Sequence, residues 1–173
     1  MLIKSVRGFT PKYGKDCFFA ENSTIIGEVI MGDHCSIWFQ TVLRGDVNPI
    51  HLGSRVNIQD GAIIHGTYKL SSTKIGNDVS IGHNSIIHGC TINDKVLVGM
   101  GSIIMDNCII KSNTIIAAGS VLTKNTIVQS GDIFAGVPAK KIKEINIERY
   151  SEEIKKISKN YLTYSSWYKK LNS

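Results

Sequence analysis

Ile25, Met31, Ile37 and Leu43 stand six residues apart. The series resumes at Leu52, Ile58 and Ile64, and again at Ile75, Ile81 and Ile87. It then runs through Ile92, Val98, Ile104, Ile110, Ile116 and Leu122. Two positions ahead of nearly every member sits a small or β-branched residue, such as Cys35, Thr41, Ala62, Val79, Cys90, Ser102 or Cys108. A period of six fits no helix. It fits a short strand followed by a tight turn, repeated. Three such units close a triangular coil of about 18 residues, and successive coils stack at the strand spacing of ~4.8 Å. The aliphatic residue and the small residue before it then both point inward and fill a narrow core. Cys35, Cys90 and Cys108 fall in the small inward slot, so packing accounts for them.

The register breaks in three places. Around Asn48 and Pro49 the spacing from Leu43 to Leu52 is too long, and between Ile64 and Ile75 the segment Gly66–Ser72 interrupts the repeat. Between Ile87 and Ile92 it is one residue short. Loops that leave a regular solenoid are where function tends to sit.

Past residue 139 the period changes. Ile147, Tyr150, Ile154, Ile157, Tyr161, Tyr164, Tyr168 and Leu171 follow a 3–4 spacing, which predicts an amphipathic helix with an apolar packing stripe. Ser151, followed by Glu152 and Glu153, reads as its start signal. The connector Gly136–Lys140 contains Pro138, which lacks a ladder donor and blocks further coils. The expected organisation is a β-helix over 1–139 and a connector with packed helix over 140–173. The 173 residues suit that plan as a single core.

The net charge of +6 is concentrated beyond residue 139, where nine of the 20 basic side chains lie. A solvated helix face is the simplest reading, so neither nucleic acid nor membrane is an expected partner. No apolar run approaches the roughly 18–20 residues of a membrane helix. Charges at Lys4, Arg7, Lys12 and Lys15 argue against a secretory signal. The four widely spaced cysteines predict free thiols and a cytoplasmic setting. Arg44-Gly45-Asp46 spells an adhesion tripeptide, which is chance in such a setting.

Of the five histidines, His34 and His51 read as surface or packing residues. The repeat gives the other three defined places. His65 follows inward Ile64 and His88 follows inward Ile87, three units on. They should therefore stack one strand spacing apart on the same outer face, close enough to share a metal with Zn–N bonds near ~2.0–2.1 Å. Arg44 follows Leu43 and joins the same column. His83 lies one face earlier, near a corner, with Asp60 directly beneath it, and is badly placed to reach the pair within one chain. A neighbouring chain in a threefold ring could supply it. Such columns read as a metal site with charged supporting groups, or else as an interfacial polar network.

The stretches Leu43–Asp46, Asn57–Asp60, Ile81–Cys90 and Ala135–Lys140 resemble the γ-class carbonic anhydrases, hexapeptide-repeat proteins with a left-handed parallel β-helix, over nearly the whole chain. The left hand comes from this resemblance, since the general crossover rule gives the opposite one. The resemblance implies a mainly β fold, a left-handed parallel β-helix with a C-terminal amphipathic helix. It implies a homotrimer holding Zn²⁺, with Fe²⁺ or Co²⁺ as substitutes, between subunits. His65 and His88 would come from one chain and His83 from the next. Arg44, Asp46 and Asp60 match interface salt-bridge residues. Gln59 matches the residue that helps hold metal-bound solvent, and Tyr161 a tyrosine near the site, unless it merely packs in the helix stripe. The implied reaction is reversible hydration of CO₂ to bicarbonate by a metal-bound hydroxide. The chain departs from the family where Val47 follows Asp46 and where Gly66–Ser72 carries no acidic residue, the positions of proton-shuttling glutamates. A hexapeptide-repeat acyltransferase, with a general-base histidine and an acyl-CoA between subunits, shares the repeat. A non-catalytic metal-binding trimer fits the missing glutamates.

Overall fold

The computed structural model describes residues 1–144 and 146–169; Leu171 of the expected helix stripe lies outside them. The chain winds into a left-handed parallel β-helix of about seven coils and ends in one helix. Inward aliphatic residues stack in three columns. Ile25, Ile37, Leu43, Ile58, Ile64, Ile81, Ile87, Ile104, Ile110 and Ile116 are all fully buried. Each contributes about 1.5–3 kcal/mol relative to exposure. Cys35, Cys90 and Cys108 are buried among them, as their slots require.

One face of the prism carries the strands Ile63–His65 and Ile86–His88 over the first half of the long strand Val42–Leu52. That strand turns a corner at the Asn48–Pro49 break. Its second half pairs on the next face with Thr73–Ile75. The third face stacks Ser36–Ile37, Asn57–Ile58 and Ser80–Ile81. Corners are turned by residues in the left-handed conformation. Asp16, His34, Arg55, Asp78, Lys95 and Asn113 stand in successive coils with φ of 55–58°. His34 is one of these corner residues, its ring 3.8 Å from Asp16.

The solenoid ends differently from the expectation of a simple stop. Asp132–Gly136 is followed by an antiparallel return strand, Ala139–Glu144, which covers the last coil on the third face. The helix then spans Ile147–Lys169 and packs on the third face, against strands Ser36–Ile37 and Ser80–Ile81.

Two helix expectations are corrected. The helix begins at Ile147, four residues before Ser151, and Glu148 is the acidic residue of its first turn. The buried face is also wider than the apolar stripe, whose Tyr161 and Tyr164 pack against Phe18, Ala20 and Trp38. Ser151, Ile154, Ser158 and Ser165 are buried, whereas Ile147 is exposed. The small serines let the helix backbone come close to the coils beside the ring cluster of Phe18, Trp38, Tyr161 and Tyr164. Ser158 donates from Oγ to the Arg55 carbonyl at 2.8 Å, tying helix to coil.

Candidate metal centre

The strand register pairs His88 with His65 directly, in adjacent coils of one face. Their rings approach so that His65 Nδ1 lies 3.3 Å from His88 Nε2. The far nitrogen of each ring meets a carboxylate. His65 Nε2 lies 3.0 Å from Asp46 Oδ1, and His88 Nδ1 lies 3.0 Å from Asp106 Oδ1.

Both carboxylates are held ionised. Burial pushes Asp46 up, but hydrogen bonds from Arg44 and His65 outweigh it and bring it below the usual range. Burial likewise raises Asp106, and hydrogen bonds from Ser71, Thr67 and His88 outweigh it. An ionised carboxylate only accepts, so each takes the N–H of its histidine. In the neutral rings the two facing nitrogens are then both bare lone pairs. Two lone pairs 3.3 Å apart call for a cation between them. Two nitrogens on ~2.0–2.1 Å bonds at the tetrahedral angle lie roughly 3.3–3.4 Å apart, so the pair matches one edge of a zinc tetrahedron. The donor set of neutral imidazoles with carboxylates behind them suits zinc, iron or cobalt.

Arg44 donates to Asp46 Oδ2 at 2.6 Å, so this pair forms within a single chain. Arg7 reaches the same region from the N-terminal segment. It donates to the Asp46 carbonyl at 3.2 Å and lies over the Tyr68 ring.

His83 does not join the pair. It sits at the corner between the third face and the histidine face, its Nδ1 2.7 Å from Asp60 Oδ2, as the register anticipated. Asp60 also accepts from the Phe39 backbone N–H at 3.1 Å. His83 is the most exposed of the three rings, at 42%, and Nε2 is left free of that carboxylate. Among the described residues no three His, Cys, Asp or Glu converge as a complete cation cage. One chain thus offers two converging nitrogens at one place and a third, oriented nitrogen at another.

Gln59 is buried on the third face. Its Nε2 donates to Asn57 Oδ1 at 2.9 Å, so its hydrogen bond runs to Asn57 rather than to a histidine. Tyr161 does two things. Its ring packs edge-on against Trp38, with centroids 5.4 Å apart. It also lines a pocket of about 250 Å³ with Trp38, Asp60, His83 and Trp167. Burial, and secondarily the Asp60 charge, push its hydroxyl up to about 12.

Asp106 was not singled out from the sequence. It occupies a turn position of the coil above His88, and the six-residue period marks inward positions only.

The repeat, the left-handed coil and the histidine columns define a class, the hexapeptide-repeat proteins. Residues 89–124 match the bacterial transferase hexapeptide (six repeats) family. The carbonic anhydrase of Geobacillus kaustophilus is 43% identical, over 98% of this chain and 92% of that one. Gamma carbonic anhydrase 2, mitochondrial, of Arabidopsis thaliana is 39% identical, over 95% of this chain and 60% of that one. Among solved structures, a hexapeptide transferase family protein from Anaplasma phagocytophilum superposes with a TM-score of 0.89 at 38% identity, covering 96% of this chain and 98% of that one. The chain belongs to the γ-class carbonic anhydrase family.

Proposed function

We propose that the protein is a γ-class carbonic anhydrase. It interconverts CO₂ and bicarbonate at cation sites shared between the subunits of a homotrimer, with zinc as the resident ion and Fe²⁺ or Co²⁺ able to replace it. The facing nitrogens of His65 and His88, each ring fixed from behind by a carboxylate, carry the reading. His83 supplies the third nitrogen from a neighbouring chain, oriented by Asp60. Ile63 and Ile86, 43% and 38% exposed beside the histidine pair, give that face an apolar surface for the neighbour to cover.

A divalent cation held by three neutral imidazoles supplies a water whose pKa falls to about 7, a nucleophile for CO₂ at neutral pH. The chain's own groups do the rest. Asp46 and Asp60 hold the His65 and His83 imidazoles in orientation. The Arg44 guanidinium, 43% exposed, places positive charge where bicarbonate forms. Gln59 orients the attacking water if its amide turns from Asn57 on trimer assembly. Four free cysteines suit a reducing, cytoplasmic setting.

The test is metal content and CO₂ hydration measured on the same samples of wild type and His88→Ala. The expected result is close to one metal per chain with hydration, both lost in the variant. Absence of metal in the wild type, with acyl-CoA-dependent turnover instead, would favour an acyltransferase. Stoichiometric metal without hydration would favour a second reading, a trimer that keeps the metal for assembly. One observation supports that second reading: the loop Gly66–Ser72 beside His65 has no carboxylate, and its Thr67 and Ser71 hydroxyls are engaged by Asp106.

A further inference from the structure

The loop Gly66–Ser72 leaves the coil directly after His65 and closes onto Asp106. Three donors converge on one oxygen, Asp106 Oδ1. They are Thr67 Oγ1 at 2.9 Å, Ser71 Oγ at 2.5 Å and His88 Nδ1 at 3.0 Å. The other oxygen lies 3.9 Å from Lys124 Nζ. Asn48, at the other long register break, donates from Nδ2 to the carbonyls of Thr67 and Ser71 at 2.6 and 2.8 Å. The two irregular segments are therefore tied to each other and to the carboxylate behind His88.

Gly89 lies beneath this cluster. A Cβ there would come within 2.0 Å of Ser71 Oγ and 2.4 Å of Asp106 Oδ1. The cluster is thus packed down onto backbone, and Asp106 is only 9% exposed. It has little freedom to swing away from His88.

We propose that Asp106 is the positioning residue for His88. It fixes the Nδ1–H tautomer, so that Nε2 presents its lone pair toward His65, and the loop hydroxyls hold the carboxylate in place for that purpose. The consequence for metal affinity rests on the metal reading above. The tautomer assignment does not.

The experiment uses ¹⁵N-histidine-labelled protein, stripped of metal, at a pH above the ordinary imidazole value of about 6.5. Two-bond ¹H–¹⁵N correlations read the His88 tautomer, and competition with a chelator reads Zn²⁺ affinity. Wild type is expected to show Nδ1–H at His88. Asp106→Ala is expected to lose that preference and to bind Zn²⁺ about 10–100-fold more weakly. Asp106→Asn keeps an acceptor oxygen and fills the same space, so it is expected to retain the tautomer with a smaller loss of affinity. Thr67→Val with Ser71→Ala loosens the loop but leaves the carboxylate, and is expected to retain the tautomer.

A folded Asp106→Ala protein that keeps Nδ1–H would overturn the proposal. So would a tautomer change in Thr67→Val/Ser71→Ala as large as in Asp106→Ala, because loop packing would then be the cause. If the alanine variant does not fold, Asp106→Leu, which fills similar space without an acceptor, takes its place, and retention of Nδ1–H in that variant would likewise overturn the proposal. Wild type that binds no Zn²⁺ would remove the metal reading, while the tautomer arms would still decide the role of Asp106.

Discussion

Asp60 stands one coil below His83 and meets its Nδ1 at 2.7 Å, while His65 and His88 face each other on a different side of the prism. A site needing all three must therefore be built from two chains. Neither His83→Ala nor His88→Ala alone should bind metal tightly. Unfolded together and refolded as mixed trimers, the two variants should regain about one quarter of the wild-type sites, those where an intact pair meets an intact His83. Metal analysis and hydration assays of the mixture check this. No recovery from well-formed mixed trimers would place all ligands in one chain.

The salt bridge between Arg55 and Asp78 contributes to acid stability on the helix-covered side. It is bidentate, at 2.7 and 2.8 Å. The Arg55 hydrogen bond outweighs burial and holds Asp78 below the usual carboxylate range. A group lowered in the folded state stabilises it at pH values above the unfolded pKa of about 3.9. That contribution disappears as the pH falls through the folded value. Asp78→Asn should therefore flatten the acid side of a stability-versus-pH curve below about pH 4. Asp78→Ala should cost on the order of 1–3 kcal/mol at neutral pH. That lies below the figure for a fully buried pair because the Arg55 side chain is 38% exposed. Urea denaturation across pH measures both.

Tyr161 permits a division between packing and chemistry. With its hydroxyl pushed up to about 12, it is protonated throughout the working range and cannot act as a base there. Tyr161→Phe should preserve the contact with Trp38 and leave stability within about 0.5 kcal/mol. Its hydration rate should fall several-fold with an unchanged pH profile. Tyr161→Ala should in addition destabilise by about 3–5 kcal/mol or somewhat less, since the ring is only half-buried.

Proton release should depend on the buffer. The segment Gly66–Ser72 beside His65 carries Lys69 and no acidic residue. At saturating CO₂ the hydration rate is expected to rise with imidazole buffer concentration before levelling. A rate independent of buffer would show that another group carries the proton.

Among the thiols, Cys17 should react first. It is half-buried, whereas Cys35, Cys90 and Cys108 are buried. A hydrogen bond from Cys35, in the adjacent coil, is the main cause lowering it to about 7. Limited alkylation followed by mass mapping should find Cys17 modified first, and Cys35→Ser should slow it.

Much of this was readable from the six-residue period. Counting units places His88 over His65 and Asp60 under His83, because each register step is fixed by a buried aliphatic residue and a slip would turn it outward. The same counting explains three cysteines as core. Two features escaped it. Asp106 is held by hydroxyls on a loop whose geometry no repeat specifies. The buried serines of the helix carry no apolar signal, and only the packing of the helix on the coils reveals them. The helix start was misplaced because Ser151 resembles a cap, yet it is buried against the coils.

The return strand Ala139–Glu144 has a further consequence. A coil stacked at strand spacing ends in a row of unpaired amides and carbonyls, the same template that each coil offers the next, and a second molecule could continue it. On the third face that template is taken by the chain's own reversed segment. The new outer edge presents the exposed side chains of Lys140 and Lys143, which repel a like copy, while Lys141 is paired with Asp132 and Glu144. The fold thus carries its own terminator on that face, turning a geometry capable of indefinite growth into a particle of fixed length.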